Sequence, residues 1–351
     1  MNYTKILKRA WTILWHYPAL WVFGFFLAIF GGSSGRSGTP GSGLNYSFNN
    51  NDFPGWNGFP NNMDGNLNQW LEKINRYMDM HFGAINEKTI LTWAIIAGAV
   101  IFFLVVVATI LRYVALTAHI RMVNHMEESG EKVSWRKGFK WGWSNSAFRL
   151  WLMDLLVTLP TVFVFMILFG CAAIPVLLGL TAGETTTAAG VIATIGMGLV
   201  VLFLAFVVGL AISLWIKISQ RVCVIEGLGV IDSLKTGWKT LRKSLKDILI
   251  MWLILVGVQI AFGLVMIPVA LILIGLSVAV VGGIGLVIYS VAAQVSVGLI
   301  IAGILLLIFI LALPITFVQG LGESFYESVW TLIYRETKTP VTMIVETPAE
   351  I

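Results

Sequence analysis

Long apolar stretches, separated by short charged segments, make up most of the sequence. Residues 248–322 contain no Asp, Glu, Lys or Arg, and residues 155–216 contain a single charged residue, Glu184. A run of roughly 18 or more apolar residues is typical of a membrane-spanning helix. Each of the two stretches is long enough for two such helices. The pattern therefore predicts an all-α fold, a polytopic bundle of transmembrane helices.

We predict about six spans, because the apolar runs fit that number of helices of spanning length. An amphipathic helix over 3–16 precedes the first span, and Pro18 begins that span since proline is well tolerated at a helix start. The polar loop TAGETTTAAG closes the second pair of spans, and the turn of the third pair is expected within 276–288. A third span within 248–318 is the alternative. The predicted spans are 18–30, 90–111, 150–182, 190–216 and two within 248–318.

The whole chain is predicted to be a single membrane domain made of three units, each a surface helix followed by a pair of spans. The units cover 1–117, 118–219 and 220–319, and a C-terminal surface helix with its tail covers 320–351. The loop over 31–88 joins the first pair of spans. Its first part, 31–63, has the Gly, Ser, Asn and Pro content of a linker. Residues 66–82 predict an interfacial helix or, alternatively, a cap packed on the bundle.

Three similar segments ahead of the span pairs suggest this internal repeat. They read LKRAW at 7–11, WRKGF at 135–139 and LKTGW at 234–238. Each has a bulky apolar residue, a basic residue, a variable one, a small one and an aromatic one. The small residues Ala10, Gly138 and Gly237 would let another helix come close, and Ser134 and Ser233 stand where helix N-caps are expected. Chance matching is the alternative, since Trp and Leu are abundant here.

The basic and aromatic residues of these segments are the candidates for lipid contact. An amphipathic helix at a membrane surface turns its basic side toward anionic headgroups and its aromatic side toward the acyl chains. A weaker fourth copy, VWTLIY at 329–334, follows the last span and adds one tryptophan. The interfacial candidates are Lys8, Arg9, Trp11, Trp135, Arg136, Lys137, Lys235, Trp238, Lys239 and Trp330.

The distribution of Lys and Arg predicts the orientation. The segments assigned to the inner side hold 19 of these residues, whereas the outer segments hold four. Because positively charged loops stay in the cytoplasm, both termini are predicted there, in a protein of the cell membrane. The chain is 58% hydrophobic and 12% charged, with a formal net charge of +5. Since the basic residues cluster beside the spans, we interpret this charge as attraction to anionic lipids rather than to nucleic acid.

The closing segment FYESVWTLIYRE, the lead-in segments and the linker-like outer loop support a resemblance over most of the chain. In these features the sequence resembles a group of poorly characterised prokaryotic six-span membrane proteins. That group is similar in style to the membrane domain associated with glycerophosphodiester phosphodiesterases. The resemblance implies a membrane location. It does not imply phosphodiesterase activity, because no catalytic domain follows residue 320 in this chain.

Motifs of established chemistry are missing from the sequence. The four histidines form no HExxH, the two cysteines form no CxxC, GxxxxGK[ST] does not occur, and we find no GxSxG nucleophile elbow. We therefore predict no catalytic residue, no metal ligand and no cofactor. Polar residues inside the spans are few, and the candidates are Asp154, Gln259 and Gln294. Asp154 is interpreted as pairing with a basic neighbour near the inner interface, and an ion pathway through it is the alternative.

The function predicted from these patterns is that of a non-enzymatic integral membrane protein. It would act at the inner face of the membrane, through lipids with anionic headgroups or through partner membrane subunits. A transporter or channel for small molecules or lipids is the alternative. An intramembrane enzyme that modifies lipids is less favoured, because Asp154 and the loop with His119 and His125 alone offer groups for it.

Overall fold

The computed structural model describes residues 1–30, 87–182, 184–291 and 297–338. All regular secondary structure within these ranges is helical. The helices are α1 (Tyr3–His16), α2 (Ala19–Phe30), α3 (Glu87–Ser129), α4 (Trp135–Gly142), α5 (Asn145–Ala182), α6 (Glu184–Glu226), α7 (Val230–Lys243), α8 (Leu245–Val291) and α9 (Val297–Lys338). The prediction of an all-α fold is confirmed for these residues.

Four of these helices contain a segment long and apolar enough to cross a membrane. These segments are Leu91–Ser129 of α3, Asn145–Val176 of α5, Gly190–Glu226 of α6 and Leu245–Ser277 of α8. A fifth would be the pair α1 and α2, if the two helices count as one broken span. Large apolar side chains such as Phe102, Phe163 and Phe203 are exposed along the segments, as expected of helices that face lipid. The count of six spans stays a prediction.

The bend between α1 and α2 turns the chain by 101°. The predicted helix over 3–16 is confirmed as α1, and Asn2 caps it by accepting a hydrogen bond from the N–H of Lys5 at 3.1 Å. Across the bend, the indole N–H of Trp21 donates to the carbonyl oxygen of Leu14 at 2.7 Å. Pro18 stands just ahead of α2, where its missing N–H removes no helical hydrogen bond. These contacts hold α1 at a steep angle to α2.

Both predicted connections between paired spans are wrong in extent. The loop TAGETTTAAG is largely helical, because α5 continues to Ala182 and α6 begins at Glu184. The predicted turn within 276–288 is also helical, since α8 continues to Val291. Alanine favours helix in the first case. In the second, an apolar segment satisfies its backbone hydrogen bonds best by remaining helical. The predicted helix over 66–82 lies outside the described residues.

The chain divides into two compact units. Unit 1 contains residues 1–40, 109–265 and 316–351, and unit 2 contains residues 41–108 and 266–315. The described part of unit 2 consists of helical segments of α3, α8 and α9, with exposed apolar side chains such as Trp93 and Ile272. Unit 1 holds a hydrophobic core that includes Ile13, Phe23, Ile120, Ile218, Met251 and Trp330. Every site described below belongs to unit 1.

The predicted C-terminal surface helix is wrong, because residues 320–338 are the second half of α9. Every residue from Glu327 to Tyr334 is buried, so we call residues 320–334 the hub segment. Two of its small polar side chains are satisfied within the helix. The hydroxyl of Ser328 donates to the carbonyl of Ser324 at 2.8 Å, and that of Thr331 donates to the carbonyl of Glu327 at 2.9 Å. A helix that looks polar in sequence can therefore be buried on all sides.

The lead-in segments lie in the short helices α1, α4 and α7, and their small residues pack closely, as predicted. A Cβ added at Gly138 would lie 3.0 Å from the ring of Phe23, and one added at Gly237 would lie 2.9 Å from the Cα of Ser219. Ala10 is fully buried. At its small residue, α4 therefore lies close to α2 and α7 lies close to α6.

The two predicted N-caps have different outcomes. Ser134 occupies the N-cap position of α4, as predicted, although its side chain makes no capping hydrogen bond. Ser233 lies inside α7, whose N-cap is Gly229, so that prediction is wrong. The hydroxyl of Ser233 instead donates to the carbonyl of Leu228 at 3.4 Å. The helix extends one turn upstream because Val230, four residues before Leu234, continues its apolar face.

The hub segment crosses α2 at a pair of glycines. A Cβ added at Gly320 would lie 2.7 Å from both the N and the Cα of Phe25, and one added at Gly24 would overlap the backbone of Gly320. No side chain fits between the two backbones at this crossing. Small residues serve the same purpose where transmembrane helices pack closely.

We predict that Gly320→Ala lowers the free energy of unfolding by about 1–3 kcal/mol, because the backbones of α2 and α9 must move apart. Gly257→Ala on α8 is the matched control, since an added Cβ there has no neighbour within 4 Å. The control should be neutral or slightly stabilising. Thermal unfolding in detergent micelles measures both variants. A Gly320→Ala protein as stable as the wild type would contradict the close crossing.

Candidate functional site

Hydrogen bonds and ion pairs connect polar side chains of four helices inside unit 1. We call this set the charge network. It consists of Tyr113 on α3, Asp154 on α5, Lys217, Gln220 and Arg221 on α6, and Glu327 on α9. The network joins helices that are far apart in the sequence, so no local sequence motif predicts it.

The centre of the network is the carboxylate of Glu327 in the hub segment. The Nζ of Lys217 lies 2.5 Å from one of its oxygens, and the guanidinium of Arg221 pairs with the other. Lys217 and Arg221 are four residues apart, which places them on the same face of α6. Arg221 is fully buried and also donates to the carbonyl oxygen of Lys217 at 2.9 Å. Two cations on α6 therefore hold one anion on α9.

The protonation state of Glu327 follows from two opposing effects. Burial raises the pKa of its carboxyl group, but attraction by Lys217 and Arg221 outweighs burial and holds the pKa well below its ordinary value of 4.5. Glu327 is therefore ionised at neutral pH. The ion pairs stabilise the fold above that value and are lost as the pH falls through the lowered pKa.

Asp154, the acidic candidate from the sequence, lies at the other end of the network. It accepts a hydrogen bond from the hydroxyl of Tyr113 at 2.8 Å and one from the side-chain amide of Gln220 at 3.1 Å. The carbonyl oxygen of Gln220 accepts in turn from Arg221 at 3.2 Å. A chain of contacts thus leads from Asp154 to Glu327. The sequence pointed to Asp154 but gave no sign of Glu327, which lies outside the long apolar runs.

A second buried contact joins α3, α9 and α2. The Nε2 of His119 lies 3.0 Å from the hydroxyl of Ser324, and that hydroxyl lies 3.4 Å from the carbonyl oxygen of Leu20. A histidine beside a serine can activate a nucleophile. Here both side chains are completely buried, so a substrate would not reach Ser324 in this conformation. The contact therefore serves to position the hub segment.

His125 does not join His119. Its ring lies 5.1 Å from that of Trp141, and its Nδ1 lies 3.0 Å from the hydroxyl of Ser129. The two histidines considered for lipid chemistry thus have separate surroundings. Within the described ranges, no three His, Cys, Asp or Glu residues come together in a way that could hold a metal ion.

Polar contacts gather several helix ends on one face of unit 1, which we call the polar end. The backbone N–H of Asn2 donates to Glu336 at 3.2 Å, and Tyr3 donates to Asp247 at 2.8 Å. These contacts join the start of α1 to the end of α9 and the start of α8. Ion pairs join the ends of α3 and α6 to the same face. They are Arg9 with Glu127, Arg335 with Glu128, and Lys338 with Glu226.

The interfacial candidates of α1 are exposed. Trp11 is 56% and Trp15 50% exposed, and their rings meet edge to face with centroids 5.7 Å apart. Lys8 is exposed as well. Arg9 is exposed but has a partner, since its Nε lies 2.6 Å from Glu127.

Cations lie beside tryptophan rings on α4 and α7. The guanidinium of Arg136 lies 5.4 Å from the ring centre of Trp135, and that of Arg242 lies 5.7 Å from the ring centre of Trp238. Both distances suit a cation–π interaction. The remaining basic candidates of the two helices are exposed, and they are Lys137, Lys235 and Lys239. Sequence reasoning missed Arg242, whose signal is its position four residues after Trp238.

The prediction that Trp330 faces the membrane interface is wrong, because its side chain is completely buried in the hub segment. Its ring packs edge to face on Tyr326, with centroids 6.1 Å apart. Of the other polar candidates, Gln259 is half-buried on α8 and Gln294 lies outside the described residues.

These features define a protein whose described residues are helical, with four to five helices suited to cross a membrane and with buried ion pairs beside the hydrophobic core of unit 1. Residues 13–340 match the model of a family of unknown function, DUF7544, and the chain belongs to that family. No curated protein and no solved structure matches the chain. The resemblance to the membrane domain of glycerophosphodiester phosphodiesterases stays a prediction.

We predict that Glu327→Gln lowers the free energy of unfolding by about 3–5 kcal/mol, because it leaves the buried Arg221 and the half-buried Lys217 without their anion. Glu131→Gln is the matched control, since Glu131 is exposed on a connection between helices. Thermal unfolding of the two detergent-solubilised variants makes the comparison. Equal melting temperatures for the two variants would contradict the role assigned to Glu327.

The lowered pKa of Glu327 also predicts that the destabilisation caused by Glu327→Gln depends on pH. Because the pKa of Glu327 is lowered in the folded state, its contribution is complete above the ordinary value of 4.5 and shrinks as the pH falls below it. The gap in melting temperature between wild type and Glu327→Gln should therefore narrow between about pH 6 and about pH 3. A gap that stays constant or widens over this interval would show that the carboxylate is not the source of the difference.

Proposed function

We propose that this protein is a non-enzymatic integral membrane protein of the cell membrane that binds anionic lipid headgroups at the cytoplasmic face. The observation that carries the proposal is the set of exposed Trp–cation pairs on α4 and α7. A tryptophan beside an arginine suits the membrane interface, because the ring rests at headgroup depth while the cation meets lipid phosphate. The exposed Trp11 and Trp15 extend the same arrangement to α1.

The polar end supports an orientation with both termini in the cytoplasm. The start of α1 and the end of α9 are joined there through Asn2 and Glu336. If α2 and α3, α5 and α6, and α8 and α9 each leave this side and return, the chain makes six crossings. Both termini then lie on the side of the bilayer that carries the excess of Lys and Arg, in agreement with the positive-inside rule.

The charge network is more consistent with lipid binding than with transport. A transporter would need its intramembrane polar groups to be available to a substrate or ion. The strongest such group, Asp154, already accepts hydrogen bonds from Tyr113 and Gln220. The network therefore acts as a rigid support that holds the surface helices in place.

The test compares two variants with equal loss of charge. The first, Arg136→Gln/Lys137→Gln/Arg242→Gln, removes cations beside exposed or half-exposed tryptophan rings. The control, Arg36→Gln/Lys73→Gln/Arg76→Gln, removes the same charge from the predicted outer loop. Since each basic residue near a membrane surface contributes about 1 kcal/mol, we expect the first variant to lose roughly tenfold or more in affinity for phosphatidylglycerol. The control should bind like the wild type.

Native mass spectrometry of the detergent-extracted protein, titrated with phosphatidylglycerol or phosphatidylcholine, provides the measurement. The proposal predicts that the wild type retains the anionic lipid preferentially. Equal retention of the two lipids by the wild type would contradict it. Equal losses in both triple variants would show that net charge, rather than the Trp–cation pairs, controls binding.

A further inference from the structure

A shallow apolar groove runs between α1, α8 and α9 on the surface of unit 1. Its volume is about 430 Å³. Leu7 and Trp11 line it from α1, Val258 lines it from α8, and Phe325 lines it from α9. Lys8 and Thr12 are its polar members. The groove is thus apolar over most of its length and has one cation at its edge.

A second, polar groove of about 490 Å³ follows the exposed side of α1. Lys8 and Thr12 line this groove too, so the two grooves adjoin at these residues. Its other lining residues are Asn2, Thr4, Lys5 and Arg9, and none of them is acidic. Arg9 is occupied by Glu127, whereas no ion pair of Lys5 or Lys8 occurs within the part of the chain that the structure describes.

We propose that the two grooves together bind a single anionic phospholipid. An acyl chain lies in the apolar groove against Trp11, Val258 and Phe325, and the phosphate is held by Lys8 with help from Lys5. This inference rests on the proposed function and makes it more specific. It names one built site on α1, separate from the Trp–cation pairs of α4 and α7.

The walls of the site are held in place before a lipid arrives. Trp11 packs edge to face on Phe325, with centroids 6.2 Å apart, and on Trp15. Trp15 packs in turn on Trp21, which is hydrogen-bonded across the bend to Leu14. A preformed groove binds with a smaller loss of conformational entropy than a mobile one. One lipid at a defined place is therefore expected, beyond the general attraction of a basic surface.

The chemistry of the lining selects a phospholipid. Val258 belongs to the candidate span Leu245–Ser277, so the apolar groove opens where acyl chains are found. Lys8 at its edge supplies a charge complementary to phosphate and has no competing carboxylate in either groove. A free phosphate ion would leave the apolar groove without an occupant, and a neutral lipid would leave Lys8 without a partner.

Two variants test the site from its two ends. Val258→Trp fills the apolar groove without changing charge, and Val265→Trp, exposed on the same helix, is its control. Lys8→Gln removes the cation at an exposed position outside the core, so the substitution should leave the fold intact. Lys132→Gln, also exposed, is its control. Native mass spectrometry of protein from phosphatidylglycerol nanodiscs counts the lipids retained at rising collision energy.

We expect the wild type to keep one phosphatidylglycerol after the others have dissociated. Lys8→Gln should weaken its retention about fivefold, the effect of one basic residue near a membrane surface. Val258→Trp should abolish retention, both controls should behave like the wild type, and the triple variant of α4 and α7 should still keep the last lipid. Unchanged retention in both Lys8→Gln and Val258→Trp would overturn the site while leaving the proposed function intact.

The other outcomes are equally clear. A wild type that retains no anionic lipid would contradict the site and the proposed function together. Displacement of the last lipid by excess inorganic phosphate, with no effect of Val258→Trp, would show a simple phosphate site and overturn the acyl-chain groove. Equal retention of phosphatidylcholine would show that Lys8 does not select the headgroup.

Discussion

One buried carboxylate, that of Glu327, holds the middle of unit 1 together. It is the anion for both Lys217 and Arg221, and Arg221 is completely buried. A charge removed from water is costly unless an opposite charge and hydrogen bonds compensate for it. The three side chains therefore stabilise one another only when α6 and α9 lie in a single register. The ion pairs therefore fix the position of the hub segment relative to α6, and the neighbouring helices pack against the hub segment.

The surface helices depend on the same arrangement. Gly320 in the hub segment meets α2 at backbone distance, and α2 is tied to α1 by the hydrogen bond from Trp21 to Leu14. Gly237 brings α7 against α6, the helix that carries both cations. Thus the tryptophans and basic residues proposed to meet lipid are attached to a rigid core. Contacts made several residues away therefore hold the backbones of α1 and α7 in place.

Periodicity in the sequence predicted the features that are local. The bounds of α1 follow from its amphipathic pattern, and the apolar runs located segments of α3, α5, α6 and α8 that could span a membrane. Exposure of Trp11, Trp135 and Trp238 also follows from their place on short basic helices. These features depend on residues within a few turns of one another, which a sequence pattern contains.

The hub segment could not be predicted in this way. Its sequence, with Glu323, Glu327, Ser328 and Thr331, looks like a surface helix, and Trp330 looks like an interfacial anchor. The partners that make burial favourable lie on α3 and α6, more than one hundred residues away in sequence for Lys217 and Arg221. The bounds of the long helices were also missed, since alanine favours helix at 181–190 and the apolar segment at 276–288 satisfies its backbone hydrogen bonds by remaining helical.

The most direct test of this account is a double-mutant cycle on Arg221 and Glu327. The free energy of unfolding would be measured in mixed detergent micelles for Arg221→Met, Glu327→Gln and the double variant. If the buried pair controls the register of α6 and α9, the double variant should be less destabilised than the sum of the single variants, with a coupling of roughly 1–3 kcal/mol. Additive effects within about 0.5 kcal/mol would contradict the central role of this pair.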